Sequence, residues 1–441
     1  MLIFSIISLI KKKSYKIKKI LYNDLGVRSM VIIVKTIYYL LFYITLIYSL
    51  YFAVSGFLGI IKKSKVNFKK SRKKSFFAII VAARNEEQVI GNLIESLKQL
   101  DYPKDRYGIF IVPNNCTDNT AKVALDAGAT VIECNKPTKT KGDVLKVAFD
   151  KLKDNKEIDA YVIFDADNLV HKDFLKHMND CYNSGYKVAE GYRDSKNPKD
   201  NWISGSYTIF YLFQNIFFNQ SRMAFDSSAS INGTGFMISK DIIDRDGFET
   251  YTLTEDVEFT GQCALKNEQI AFVEEAITYD EYPINFGASW KQRKRWSAGI
   301  IQCMNRYSAK LFKNFLKTGR LASLDLSLVY LGPLMQVISF FNLVLLVIFK
   351  IVGIELHDIF SYFFATNIVF FCVLLAMGIA IEIFALLYKK KDLKGMTASI
   401  ILFSIFLLSW IPINISVFVK KYDKWEAIKH TRSIKINELK K

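Results

Sequence analysis

Four stretches of this chain are apolar and long enough to cross a bilayer, which takes about 20 helical residues. They are residues 38–61, 327–349, 359–388 and 397–419. The first contains no charged side chain. The segment between the first and second stretches is charged and mixed, so the layout is a soluble domain tethered to a membrane at both ends. Lys62, Lys63, Lys65, Lys69, Lys70, Arg72, Lys73 and Lys74 follow the first stretch directly. That density places the following residues on the cytoplasmic side. The formal net charge of +18 would also suit nucleic acid. However, much of it sits beside the apolar runs, where lysines mark membrane flanks, so no nucleic-acid partner is expected. Residues 1–10 are apolar but short and precede a lysine cluster at 11–19, the reverse of a signal peptide, and an interfacial helix is expected there.

Residues 75–282 alternate strand and helix patterns. Strands are expected at 76–83, 109–113, 129–133 and 161–164, and helices at 86–100, 118–127 and 142–152. Val89, Ile90, Leu93, Ile94, Leu97 and Leu100 recur at helical spacing. Repeated strand–helix units imply an α/β fold with a mostly parallel sheet covered on both faces. No glycine-rich dinucleotide fingerprint follows the first strand. The six cysteines are scattered without a C-x-x-C pair, and the four histidines are isolated. Neither a disulfide framework nor a His-based metal site is expected.

The apolar run Tyr161-Val162-Ile163-Phe164 ends in Asp165-Ala166-Asp167-Asn168. In open α/β sheets ligands bind just beyond the carboxyl ends of strands. Two carboxylates there suit Mg²⁺ or Mn²⁺ shared with substrate phosphates; the same pair also serves as an Asp-rich turn capping the next helix. Ala83, Arg84, Asn85 and Glu86 end the first strand, and Asn114-Asn115-Cys116-Thr117-Asp118 ends the second. Such side chains hold loops or read a base edge. Lys139, Lys141 and Gly142 open a helix, where a lysine and free N–H groups suit a diphosphate. Each of these is equally a cap or a turn. Thr254-Glu255-Asp256 reads as an N-cap or as a site. Gln292-Arg293-Lys294-Arg295-Trp296 offers arginines for phosphate oxygens and a flat face for a sugar ring, or the start of an interfacial helix.

Taken in order, N-N-C-T-D, D-A-D, T-E-D and Q-x-x-R-W resemble the motifs of membrane-bound family 2 glycosyltransferases, the group of cellulose, hyaluronan and poly-N-acetylglucosamine synthases. The resemblance covers about residues 76–296. It implies a GT-A-type fold, a UDP-sugar donor, a divalent cation (Mg²⁺ or Mn²⁺) and inversion at the anomeric carbon. By position it implies donor contacts from Ala83, Glu86, Asn114, Lys141, Asp165, Asp167 and Arg295. Asp167 would hold the metal and Asp256 would be the catalytic base. Glu255, Gln292 and Trp296 would meet the acceptor, a growing polysaccharide. Asn114 departs from the Asp that many members carry there. The overall resemblance favours a processive synthase making a β-glucan of cellulose or mixed-linkage type from UDP-glucose. A GlcNAc polymer or a lipid acceptor is the alternative.

The expected organisation is an N-terminal interfacial and transmembrane segment (1–74), a cytosolic catalytic domain (75–296), an interfacial helix (297–321), transmembrane helices (322–419) and a basic tail (420–441). Residues 202–218 read equally as a second interfacial helix or as an ordinary amphipathic core helix. Gln336, Asn342, Asn367, Glu382 and Asn414 interrupt the apolar runs and are expected to face protein or a wet path. Three C-terminal spans would leave the tail outside, against the positive-inside tendency; one re-entrant segment would remove the conflict. The tail is too short for a regulatory domain, and none is expected.

Overall fold

The computed structural model describes residues 25–62, 68–134, 138–356, 368–423 and 432–439. The expected interfacial helix at 1–10, its lysine cluster, Lys63, Lys65 and Asn367 lie outside the described residues. The chain forms two compact units. One comprises residues up to Ala53 together with Gly332–Glu382, and the other Val54–Leu331 with Ile383–Lys441.

The first unit is helical. Its described residues belong mainly to the long helix Leu25–Lys62, to Gly332–Val352 and to Ile368–Tyr388. Tyr38 packs edge-on against Phe349, with ring centroids 5.6 Å apart. Asn342 and Glu382 are buried, as expected of polar groups that lipid would penalise. Gln336 is exposed, against that expectation. Gly26–Lys62, Gly332–Val352 and Thr397–Val419 are long and apolar enough to cross a membrane.

The second unit is built on an eight-stranded sheet. Its strands are β1 (Phe77–Ala83), β2 (Tyr107–Pro113), β3 (Thr130–Val131), β4 (Ala160–Asp165), β5 (Leu169–Val170), β6 (Val188–Ser195), β7 (Phe236–Ser239) and β8 (Ile270–Asp280). The spatial order is β3-β2-β1-β4-β7-β6-β8-β5. β1 is parallel to β2 and β4, β2 to β3, and β6 to β8. Ile79, Ile80, Val162 and Ile163 are fully buried, because helices cover both faces of the central strands. The sheet is mixed: β7 runs antiparallel between β4 and β6, and β5 is antiparallel to β8. β7 is only four residues long and gives no periodic signal, which is why the sequence reading stops short of it. The insertion has a consequence. β4, β6 and β8 all point the same way, so Asp165, Arg193 and Asp280 arrive at one edge.

Two boundaries differ from expectation. Residues 286–318 form one unbroken helix (Phe286–Thr318) with no domain boundary at 296. Gly299 inside it is a close-approach position, since a Cβ there would lie 2.3 Å from Thr254 Oγ1. Of the two readings of residues 202–218, the core helix holds: Trp202–Phe213 is largely buried and packs on Thr397–Leu408, with Tyr207 against Phe406 at 5.1 Å and Phe213 against Phe403 at 5.5 Å. The 397–419 segment is two helices, Thr397–Leu408 and Trp410–Val419. Pro412 cannot donate to the Leu408 carbonyl, so the ladder breaks at Ser409. Both helices run along the catalytic unit, the second with Val417 in a cluster with Leu253, Ala298 and Ile301. Beyond them, the Arg432 N–H donates to Glu281 Oε1 at 3.3 Å and Asn92 Nδ2 donates to Ser433 Oγ at 2.8 Å. The described tail residues 432–439 thus reach the catalytic domain through these bonds.

Arg222 and Asp325 form a bidentate pair at 2.9 and 2.8 Å, with side chains 4% and 6% exposed. It fixes helix Leu321–Tyr330 to the segment after the Trp202–Phe213 helix. Asp325→Ala takes away the carboxylate that neutralises this buried guanidinium, and we expect a loss of about 3–5 kcal/mol. A fall in the thermal midpoint of the purified protein should report it, and Arg222→Met/Asp325→Leu should recover most of it.

Candidate active site

The ends of β1, β2 and β4 are level: Ala82 pairs with Asp165 and Ala83 with Pro113. Beyond them opens a cleft of about 340 Å³. The turn after β4 is held by a hydrogen-bonded lattice. The Asp165 N–H is shared by Asn168 Oδ1 and Thr234 Oγ1, both at 3.0 Å. Asn168 Nδ2 donates to Asp280 Oδ1 at 2.6 Å, and Arg193 Nε donates to Asp280 Oδ2 at 2.7 Å. Asp165 and Asp167 are not caps, because the next helix begins only at Phe174. Asp167 is buried and accepts from the Glu281 N–H at 3.4 Å.

Lys141 stands at the centre. It opens the helix Lys141–Leu152, whose N-terminus is closed by a Thr140/Asp143 capping box. Its ammonium donates to Asp165 Oδ1 at 2.5 Å and to the Gly233 carbonyl at 2.6 Å, and lies 3.8 Å from Glu255 Oε1. Burial works against this charge, yet Asp165 and Glu255 outweigh it and hold the ammonium above its usual range. Gly142 allows the approach: a Cβ there would meet Thr250 Oγ1 at 2.2 Å and Glu255 Cβ at 3.2 Å.

Glu255 and Asp256 lie in the first turn of the helix Glu255–Leu265. Thr254 precedes them but makes no side-chain cap bond, so the triplet is not simply a helix start. The loop before it is fixed by Glu258 Oε2, which accepts the N–H groups of Tyr251 and Thr252, both at 2.7 Å. Tyr307 on the long helix donates to Glu258 Oε1 at 2.6 Å. Burial raises the Asp256 carboxyl; the Val257 N–H and the charges of Lys141 and Arg295 oppose it without cancelling it. Burial likewise lifts Glu255 to about 7, with Lys141 opposing and Asp256 adding.

At the far end, the Asn114 N–H donates to the Ala83 carbonyl at 2.8 Å, and its side-chain oxygen accepts from Thr138 at 2.5 Å. Asn85 and Asn115 take left-handed backbone, with φ of 58° and 49°, a conformation Asn tolerates better than most residues. The Glu86 N–H donates to Thr120 Oγ1 at 2.8 Å. At the opposite wall stand Gln292, Arg295 and Trp296 from the long helix. Arg193 lies 4.1 Å from the Tyr211 ring centre, and Tyr211 stacks on Tyr282 at 5.3 Å.

The structure thus brings Ala83, Glu86, Asn114, Lys141, Asp165, Asp167, Glu255, Asp256, Gln292, Arg295 and Trp296 to one cleft. It adds Arg193, Asp280, Tyr211 and Trp410, which the sequence reading passed over. Asp280 had a signal: Ile277-Thr278-Tyr279-Asp280 repeats the pattern of an apolar strand ending in an acid. Trp410, inside an apolar run, had none.

Could this cleft hold Mg²⁺ or Mn²⁺? Asp165 is engaged by Lys141, and Asp167 offers the second hard carboxylate. Among the described residues no three His, Cys, Asp or Glu are grouped to hold an ion alone. One or two carboxylates completed by substrate phosphates is the usual Mg²⁺ arrangement, and these residues fit it, Asp167 foremost.

The model for the family described as "Glycosyl transferase family group 2" matches residues 161–384. Beta-monoglucosyldiacylglycerol synthase of Nostoc sp. (strain PCC 7120 / SAG 25.82 / UTEX 2576) is 27% identical over 270 residues, 59% of this chain and 57% of that protein. The match thus spans little more than half the length of that relative. Poly-beta-1,6-N-acetyl-D-glucosamine synthase of Staphylococcus epidermidis is 22% identical over 367 residues, 79% of this chain and 83% of that protein. The solved mannosyltransferase PcManGT from Pyrobaculum calidifontis, in complex with GDP-Man and Mn²⁺, superposes with a TM-score of 0.55 at 15% identity, covering 87% of this chain and 100% of that one. At that identity the likeness concerns the fold, which is of GT-A type.

Glu255 supplies a pH test. Its carboxyl is raised from 4.5 to about 7 in the folded protein, so the folded state binds more protons across that window. The stability this group contributes is complete below 4.5 and is lost as pH rises through about 7. Glu255→Gln should flatten the thermal midpoint between pH 4.5 and 7 and leave the variant the more stable at pH 8. A parallel pair of midpoint–pH curves would contradict the assignment.

Proposed function

We infer the reaction from one premise: the chain belongs to glycosyl transferase family group 2. The reading is an inverting transfer of a hexose from a UDP-sugar to an acceptor hydroxyl, on the cytoplasmic face of a membrane that the chain crosses more than once. The observation that carries it is the placement of Asp256. This half-buried carboxyl, raised by desolvation, shares one cleft with Lys141, Asp165, Asp167 and Arg295.

The residues divide the work as follows. Ala83, Glu86 and Asn114 border the end where the nucleoside binds. Lys141 and Arg295 face the diphosphate, where negative charge grows as the glycosidic C–O bond breaks. Fixed charges in a water-poor cleft stabilise it without reorganisation. Asp165 orients Lys141. A divalent cation bound at Asp167 would supply further Lewis-acid stabilisation of the leaving UDP. Asp256 takes the proton from the acceptor hydroxyl as its oxygen attacks the anomeric carbon. Displacement from the face opposite UDP turns an α-linked donor into a β-linked product. Glu255, Gln292 and Trp296 border the acceptor.

For the acceptor, we favour the end of a growing β-linked polysaccharide, extended processively and passed across the membrane. The Q-x-x-R-W helix supports this, as does a polysaccharide synthase relative aligned over 79% of this chain. UDP-glucose and a β-glucan remain the preferred donor and product, with a GlcNAc polymer as the alternative. A second reading has its own support: a relative at 27% identity is named for a glucosylated diacylglycerol, so the acceptor would be lipid and the product a glycolipid. Labelled UDP-glucose and UDP-N-acetylglucosamine, supplied with Mg²⁺ or Mn²⁺, decide the matter. High-molecular-weight product means polymerisation, and label extracted into chloroform means lipid transfer. Absence of transfer from either donor would overturn the reaction itself.

General-base help is typically worth about 10²–10⁴ in rate. Asp256→Asn should therefore lower kcat by about that factor while UDP binding, read by calorimetry, stays within twofold. Near wild-type turnover in a folded variant would remove Asp256 from its role.

A further inference from the structure

We propose that Trp410, from the apolar segment after the second unit's last polar loop, forms the acceptor wall together with Trp296 and binds a sugar ring there. The inference rests on the transferase reading above and names the acceptor's chemistry.

Trp410 lines the same cleft as Asp256 and Trp296. Phe210, Trp410 and Trp296 form a near-parallel series: Phe210 to Trp410 is 6.1 Å at 25°, and Trp410 to Trp296 is 6.3 Å at 23°. Centroid separations of this size suit offset stacking, and all three rings border the cleft, Trp410 with 9% of its surface exposed. A pyranose presents an apolar face of C–H groups that matches such a ledge of rings. A diacylglycerol hydroxyl carries no ring and would not need it.

The ledge is held rigidly. Arg293, fully buried, donates through Nη1 to the Phe406 carbonyl at 3.0 Å and to Ser409 Oγ at 2.6 Å. It also lies 5.7 Å from the Trp410 ring centre. Arg293 thus clamps the break between the helices Thr397–Leu408 and Trp410–Val419, directly before Trp410. It is a positioning residue that sets the second tryptophan beside the first. The Q-x-x-R-W element accordingly acts on two faces. Gln292, Arg295 and Trp296 line the cleft, while Arg293 fastens the segment that completes it.

The test uses the purified full-length protein in nanodiscs. Binding is read by calorimetry for three probes: UDP with Mn²⁺, a soluble β-linked glucose or N-acetylglucosamine tetrasaccharide, and monoglucosyldiacylglycerol incorporated in the disc. In Trp410→Ala and in Trp410→Leu, which keeps more of the volume, UDP affinity should stay within twofold. The sugar probe should weaken by about tenfold, the scale of a lost aromatic stacking contact. Trp410→Phe should fall between. Binding of the soluble tetrasaccharide identifies a polymer end, and binding of the glycolipid alone identifies a headgroup; both support the ring-binding wall. If the wild type binds UDP but no sugar probe, or if the variants bind the sugar as the wild type does, the proposal is overturned and the transferase reading survives. If sugar binding depends on Trp410 but UDP does not bind, the wall stands and the donor reading falls. Failure of both UDP and sugar to bind the wild type overturns both.

Discussion

One partly buried ammonium organises the cleft. Lys141 bonds at once to the end of β4 through Asp165 and to the loop before β7 through the Gly233 carbonyl, and it faces the helix Glu255–Leu265 through Glu255. These three segments are far apart in sequence and do not otherwise share a strand or helix. Two acids in the first turn of one helix, next to a third at a strand end, would repel one another in a dry site. Their approach is tolerable because a cation lies between them. The same cation is therefore both a structural tie and, in the proposed reaction, a counter-charge for the leaving group. Its bond to Asp165 distinguishes the two aspartates after β4: Asp165 pairs with Lys141, while Asp167 is buried and accepts from the Glu281 N–H.

Beside this ammonium a second bonded group, Arg193 with Asp280, also lines the cleft. Arg193 and Asp280 end β6 and β8, and Asn168 links Asp280 back to Asp165 through shared hydrogen bonds. The arrangement exists only because β7 enters the sheet antiparallel and lets β6 and β8 run in the direction of β4. Sheet topology thus places the residues, and the buried bonds fix their angles. Such supports are what hold a charged side chain to within a fraction of an ångström of its working position.

What could be read from the sequence followed from period and position. The apolar runs of β1 and β4, the acids after β4 and the helix-opening Lys141 each obey a local rule, so their shared edge was legible. Asn114, Asp256 and Arg295 were legible only through the order of several motifs together. β7 was too short to show a period. The boundary after 296 was set where the last motif ends, and the helix Phe286–Thr318 runs through it without a break. Residues 202–218 read either way because they are apolar all round, and only the partner helix Thr397–Leu408 decides. Trp410 obeys no local rule at all: one tryptophan in an apolar run acquires meaning from a buried arginine more than a hundred residues earlier.

Charge balance adds a constraint that none of the motifs states alone. The cleft is lined by the carboxyl groups of Glu86, Asp165, Asp167, Glu255, Asp256, Asp280 and Glu281, against the cations of Arg84, Lys139, Lys141, Arg193 and Arg295. Acids outnumber bases even before a diphosphate enters. With Glu255 lifted to about 7, part of that excess is carried as a neutral acid near neutral pH, but Asp165 and Asp167 remain beside the path of the phosphates. A dianionic diphosphate brought to these two residues alone would be repelled at close range, where low dielectric makes each unit of charge count for more than in water. In the proposed reaction, a divalent cation entering with the donor would make Asp167 a ligand in place of an obstacle. In the proposed reaction the acidic turn after β4 would therefore favour a donor that arrives with its metal, and the basic groups across the cleft would meet the charge that appears as the bond breaks.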